Sequence, residues 1–337
     1  MQKQLLVGFL IIFIIFQSGC SLNLKNFNNK EDPISTLPPK ALYVDGDAIY
    51  ELTTSMISTA KNSIYVEQSE FDDSHLIQLL MQKASEGLEV RIILDQWQQV
   101  NQTTLDQLKS QNISVQFYPA RKGQYDRVKL LVVDHEQALV YCSPWTEKGF
   151  NSHTLATELT GWSAWKAATV FSKDWEFTTT LTLDVPKTSP FPDDNIVLAT
   201  DARVKQQIIE RINSSTESIW AEIALVSEED TVQALLAAVK KGRDVRLILD
   251  PTEVAANPGP IEKLKNGGIQ IRTSPTAKIQ RLNLGIFDGK TFIQSSSSWT
   301  YNAFVINHEL SITVPSPTAT EKLVNLFNQD WADSNSI

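Results

Sequence analysis

The chain has 337 residues, enough for one large or two medium domains, and 42% of them are apolar against 20% charged, which excludes a disordered polymer. Its formal net charge is −9 and it has no long run of lysine or arginine, so it lacks the dense positive surface that non-specific nucleic-acid binding needs. A local basic pocket is compatible with both figures.

The first twenty residues (1–20) read as an export segment. Lys3 precedes an apolar stretch from Leu5 to Phe16, then Gln17-Ser18-Gly19-Cys20. Such a stretch rises about 18 Å as a helix, short of the roughly 30 Å hydrocarbon core, so it fits a signal peptide better than a span. The Ser-Gly-Cys ending resembles a bacterial lipobox, although Gln17 stands where that pattern prefers leucine. Lipidation of Cys20 and an uncleaved membrane anchor are the two readings. Either leaves the bulk of the chain exported, in the cell envelope and tied to the membrane. Cys142 is then the one remaining thiol and is expected to be a small buried hydrophobe. Residues 21–40, polar and ending on Pro38-Pro39, are expected to be a flexible tether.

Two units follow, 41–185 and 186–337, joined near Pro186 to Pro192. In the first, Ala48 to Lys61 reads as a helix and Ile64 to Glu67 as a short strand. His75 to Ser85 is an amphipathic helix with Leu76, Leu79 and Leu80 on one face, ended by Gly87. Val90 to Leu94 is a continuous apolar strand. Val128 to Val133 and Ala138 to Tyr141 are strands separated by Asp134-His135-Glu136, and Ala164 to Glu176 closes the unit as a helix. The tryptophans 145, 162, 165, 175, 299 and 331 are expected in the core.

The second unit repeats the first. Ser63-Ile64-Tyr65 matches Ser218-Ile219-Trp220 at an offset of 155 residues, and the run Gly87 to Asp95 matches Gly242 to Asp250 at the same offset. Asp134 pairs with Asp288, Trp145 with Trp299, and Asp174-Trp175 with Asp330-Trp331, all within one residue of it. This is one unit copied once. Strand–helix alternation in both copies predicts an α/β fold with helix-covered sheets, the copies packed about a pseudo-twofold axis so that equivalent segments face each other across a seam.

The segment Arg127-Val128-Lys129 through Asp134, followed by Cys142-Ser143-Pro144-Trp145, resembles the phospholipase D superfamily. The repeated signature of that family is His-x-Lys-x4-Asp, then Gly-Ser-x-Asn. The resemblance runs from about Ala41 to Trp331 and includes the Val-Arg-x-x-x-Asp strands, Glu158 and Glu309, and the closing Asp-Trp helices. It implies that one residue of each copy meets its partner at the seam. In the family these are histidines, one attacking phosphorus and one protonating the leaving oxygen, while lysines and asparagines hold the phosphate and no metal or cofactor is needed.

This chain departs from the signature where the chemistry sits. Arg127 and Arg281 occupy both histidine positions, Lys129 is kept, and Asn283 replaces the second lysine. The asparagines become Pro144 and Ser298. Arginine stays protonated and offers only donors, so it serves neither as nitrogen nucleophile nor as general acid. It suits phosphate or carboxylate oxygens as a bidentate fork. One reading is therefore a non-catalytic anion pocket made by Arg127, Lys129, Arg281, Asn283, Ser143, Ser296, Ser297 and Ser298. The other is a seam filled by internal pairing of the arginines with Glu158 and Glu309. Asp134 and Asp288 are expected to cap turns at strand ends. Of the four histidines, His75 and His135 are expected at the surface, while His153 and His308, beside the seam, would be the pair to restore catalysis if any does.

The expected function is an envelope-anchored phospholipase D-like protein without turnover that binds a phosphoester or other anion at the seam. The alternatives are a divergent metal-independent phosphodiesterase and a scaffolding lipoprotein with a closed seam. A phosphate-containing ligand and the membrane are the partners foreseen; no protein partner is indicated.

Overall fold

The computed structural model describes residues 34–275, 280–296 and 298–337. The expected export segment, Cys20 and Ser297 lie outside the described residues. In the first copy the chain forms β1 (Leu42–Val44), α1 (Gly46–Thr59), β2 (Ser63–Gln68), α2 (Ser74–Ser85), β3 (Glu89–Asp95), α3 (Gln99–Ser110) and β4 (Ser114–Tyr118). Then come β5 (Lys129–Val133), β6 (Gln137–Tyr141), α4 (Glu147–Phe150), β7 (His153–Thr160) and α5 (Trp162–Thr179).

The second copy follows the same order. It contains β8 (Val197–Thr200), α6 (Ala202–Ser214), β9 (Ser218–Glu222), α7 (Glu229–Lys240), β10 (Asp244–Leu249), α8 (Pro251–Ala256), α9 (Pro258–Asn266) and β11 (Gln270–Thr273). It closes with β12 (Gln280–Arg281), β13 (Leu284–Phe287), β14 (Thr291–Ser295), β15 (Leu310–Val314), α10 (Pro317–Asp333) and β16 (Asn335–Ser336).

The two sheets are copies as well. One runs β1-β7-β6-β5-β2-β3-β4, the other β8-β15-β14-β13-β9-β10-β11, with β16 added at its far edge. In each, the β2–β3–β4 type pairs are parallel and the β5–β6–β7 type pairs antiparallel. The parallel strands need crossovers, and α2 and α3 supply them. Local signals set the boundaries: the Asp73 carboxylate accepts the Leu76 N–H at 2.8 Å to start α2. Gly87, at φ +92°, then takes the left-handed turn that leads to β3.

Both faces of each sheet are buried, which is why its central strands read as unbroken apolar runs. Along β2, Ile64 and Val66 point to an outer core with Leu76, Leu80 and Leu108, while Tyr65 points the other way. That second face joins a central core holding Leu130, Val132, Val140, Phe171 and Trp175 of the first copy with Leu284, Ile286, Ile312, Leu323 and Phe327 of the second. The closing helices α5 and α10 belong to this shared core. Trp145, Trp165, Trp175 and Trp299 are buried as expected, whereas Trp162 and Trp331 are only half-buried.

The expected tether is shorter than residues 21–40. From Ser35 the chain is docked on the second copy: the Ser35 N–H donates to Pro315 O at 2.8 Å, and the Ser316 hydroxyl donates to Leu37 O at 2.8 Å. Leu37 is apolar and buries itself in the shared core, which a freely solvated linker would not do.

Candidate functional site

Crossed pairing between the copies makes the site. The segment before β5 lies against the second copy, Asp126 bridging His308 in parallel register and the Arg127 N–H donating to His308 O at 2.8 Å. Its counterpart β12 lies against the first copy, with Gln280 opposite His153 and Arg281 opposite Thr154. Each motif arginine is thereby laid along the other copy's strand, and both face one cleft of about 590 Å³. Lys129, Asn283, Ser296 and Ser298 line the same cleft.

The cleft gathers three cationic side chains, Arg127, Lys129 and Arg281, while Asp250 and Glu253 stand on its wall. The Arg127 guanidinium lies over the Tyr125 ring at 4.8 Å. Arg281 Nε is buried without a hydrogen-bond partner. Burial pulls the Arg281 pKa down, Glu70 acts against that, and Arg127 adds to it. Lys129 is buried, and its ammonium donates to Arg127 O at 2.8 Å and to Ser296 O at 2.9 Å, tying the copies together. Burial lowers its pKa to about 8, with Glu309 opposing and both arginines reinforcing the shift. Asn283 holds φ +46° and is buried at the cleft wall.

The pairing of the arginines with Glu158 and Glu309 is not what the structure shows. Glu158 accepts the Tyr43 hydroxyl at 3.1 Å, and Glu309 takes the Ser296 hydroxyl and the Asn307 amide. Nor are these two acids equivalents. Glu309 follows His308 as Thr154 follows His153, so Thr154 is its counterpart, whereas Glu158 lies farther along β7. Glu158 is therefore held away from the arginines by strand position alone.

Other expected site residues divide as follows. Ser143 is withdrawn from the cleft into a hydroxyl cluster with Ser152 and Thr154, 2.8 Å from each. Asp134 and Asp288 stand away from the cleft and organise turns. Asp134 accepts the backbone N–H groups of Lys61, Asn62 and Ser63, and Asp288 those of Thr216, Glu217 and Ser218. His75 is exposed, but His135 is half-buried: its ring packs on Tyr65, Nε2 lies 3.0 Å from the Tyr65 hydroxyl, and burial lowers its pKa. At φ +60° the turn aims the imidazole back over the sheet.

His153 and His308 do not line the cleft. His153 sits between two carboxylates, Nδ1 2.7 Å from Asp45 and Nε2 3.1 Å from Asp330. Burial acts to lower its pKa, yet the bonds to Asp330 and Asp45 carry it up to about 10. His308 is 3% exposed, stacked 4.5 Å from Tyr118, with Nδ1 2.8 Å from Asp201. A ring locked between acids behind the wall has no path to a phosphorus atom in the cleft.

Several lining residues escaped the sequence reading, among them Ser69, Tyr125, Glu253 and Asn307. Tyr125 and Asn307 had a signal, since each stands two residues from a motif position, at Arg127 and Glu309 respectively. Ser69 had none, because its place depends on how β2 ends.

The chain matches the family model described as "Cardiolipin synthase, PLD-like domain" twice, over residues 53–175 and 208–331. It is 22% identical to a cardiolipin synthase of Clostridium perfringens (strain SM101 / Type A), over 92% of this chain and 74% of that one. It is 21% identical to cardiolipin synthase A of Pseudomonas entomophila, over 88% of this chain and 69% of the relative. In fold it is similar to the phosphatidylserine synthase of Haemophilus influenzae Rd KW20, with a TM-score of 0.67 and 11% identity, over 90% of this chain and 88% of that one.

Proposed function

The chain belongs to the phospholipase D superfamily, and from that footing we propose that it binds the phosphodiester of an anionic phospholipid headgroup in the inter-copy cleft without turning it over. One observation carries this reading. Arg127 and Arg281, each where the family has its reacting histidine, face one cleft with Lys129, and among the described residues neither is ion-paired. Guanidinium forks and a buried ammonium match diester oxygens, and the cardiolipin synthases named above supply the lipid context. Arginine has no nitrogen to offer phosphorus and no proton to give a leaving group, so binding is what is left.

The lipid anchor at Cys20 belongs to the same proposal. It would hold the cleft near the headgroups it reads. The seam is open rather than filled, which favours a ligand site over pure scaffolding.

The test is a melt of the full chain in detergent, with and without inorganic phosphate and short-chain phosphatidylglycerol. Both ligands are expected to raise the melting temperature of wild type and to leave Arg127→Ala/Arg281→Ala unchanged. Equal shifts in both proteins would refute the site. Hydrolysis of phosphatidylglycerol above the double variant's background would refute the loss of turnover.

A further inference from the structure

Behind the cleft wall, four side chains converge on one point with their polar atoms unsatisfied. Glu67 of β2 and Asp126, both 0% exposed, meet His308 of the other copy, and one donor atom from each lies within 4.8 Å of the other two. Asp174 of α5 joins them, its Oδ2 3.4 Å from His308 Nε2, while Glu67 Oε1 is 3.7 Å from that nitrogen. Both oxygens of Glu67, Oδ2 of Asp126, Oδ2 of Asp174 and His308 Nε2 are buried without a hydrogen bond of normal geometry. Orphaned buried carboxylate oxygens are costly, and four convergent ones beside a ring nitrogen draw a positive charge into the space between them.

We propose that Glu67, Asp126, Asp174 and His308 bind a first-row divalent cation, of the Zn2+ or Mn2+ kind, that clamps the two copies together. The spacing fits. Ligands about 2.0–2.2 Å from one ion in tetrahedral array stand roughly 3.3–3.6 Å apart, near the separations found here. The tautomer fits as well. His308 Nδ1 faces Asp201 at 2.8 Å, and with its proton there the lone pair of Nε2 points at the three acids, the carboxylate–histidine–metal arrangement. One imidazole among carboxylates selects a first-row metal over Mg2+ or Ca2+. Glu67, Asp126 and Asp174 come from the first copy and His308 from the second, so the ion would cross-link them one residue behind Arg127.

The pseudo-symmetric twin is a built-in control. There His153 meets Glu222, Asp330 and Asp45, but Gln280 takes the register position of Asp126. His153 also makes ordinary hydrogen bonds through both nitrogens. With both ring nitrogens already taken, that cluster leaves no lone pair for an ion, and no cation is expected in it.

The experiment uses the full chain, stripped with chelator, dialysed against Zn2+, Mn2+, Mg2+ or Ca2+ and assayed by mass spectrometry. Wild type and Glu222→Gln should each hold about one Zn2+ or Mn2+ per chain. Glu67→Gln and Asp126→Asn should bind at least tenfold more weakly. If those variants fail to fold, wild type alone decides: chelator should lower its melting temperature and Zn2+ restore it. Wild type without stoichiometric metal, Glu67→Gln binding like wild type, no chelator effect on the melt, or preferential Mg2+ or Ca2+ uptake would each overturn the proposal.

Discussion

Lys129 shows how one buried charge sets the behaviour of the cleft. Its ammonium loses water, gains only two carbonyls, and is left with a pKa near 8. A bound anion would favour the charged form, so anion affinity should fall as pH rises through about 8. Calorimetry with inorganic phosphate from pH 7 to 9.5 should show a several-fold loss in wild type, and Lys129→Met should bind weakly with no such slope. The pKa of His153 is shifted the other way, upward. Its folded pKa of about 10 lies above the value near 6.5 expected when unfolded, so its contribution is complete below about pH 6.5 and is lost as pH rises toward 10. The stability gap between wild type and His153→Gln, on the order of 3 kcal/mol at pH 6, should close toward pH 10 in urea unfolding.

At the scale of elements, two contacts make sharp demands. Asp288 collects three backbone N–H groups ahead of β9. Burial pushes its pKa up, but the bonds from Ser218, Thr216 and Glu217 together hold it below the ordinary value. A depressed carboxylate stabilises above its unfolded pKa, so this contribution disappears only as pH falls through the folded one. Asp288→Ala should cost about 2 kcal/mol at pH 7 by chemical denaturation and much less in strong acid. Gly46 opens α1 where α4 crosses it, and a methyl there would sit 1.4 Å from Phe150 O. Backbone cannot yield as a side chain does, so Gly46→Ala should lower stability by about 3 kcal/mol, read as a drop in melting temperature.

Much of this scale was legible. The helix at His75–Ser85 and the strands around Val90–Leu94, Val128–Val133 and Ala138–Tyr141 follow from periodicity and punctuation, and the structure shifts their ends by a residue or so. The cleft residues Arg127, Lys129, Arg281 and Asn283 were found because the repeat aligned them. What stayed hidden depends on long-range register. Nothing local says that Arg281 lies opposite Thr154, that Glu158 is out of reach, or that Ser143 turns to Ser152. Pairing Glu158 with Glu309 departs from the 155-residue offset of the repeat, which sets Glu309 against Thr154.

For the molecule as a whole, the shared core decides the unit of folding. Leu130, Val132 and Phe171 pack with Ile286, Ile312 and Phe327 across the copies, so a chain cut at the join would expose a broad apolar face. Residues 34–185 expressed alone should bind a hydrophobic dye and melt without a cooperative transition, although β1 to β7 are all present.

The crossed pairing also bears on how such a chain can change. In a homodimer of single units, symmetry would force every substitution to appear twice around the cleft. Because both units here lie on one polypeptide, each position mutates alone, and the two sides have come to differ: Lys129 faces Asn283, Asp126 is matched by Gln280, and Glu309 by Thr154. Fusion has turned a two-fold site into one with a left and a right, able to keep a carboxylate on one side while discarding it on the other.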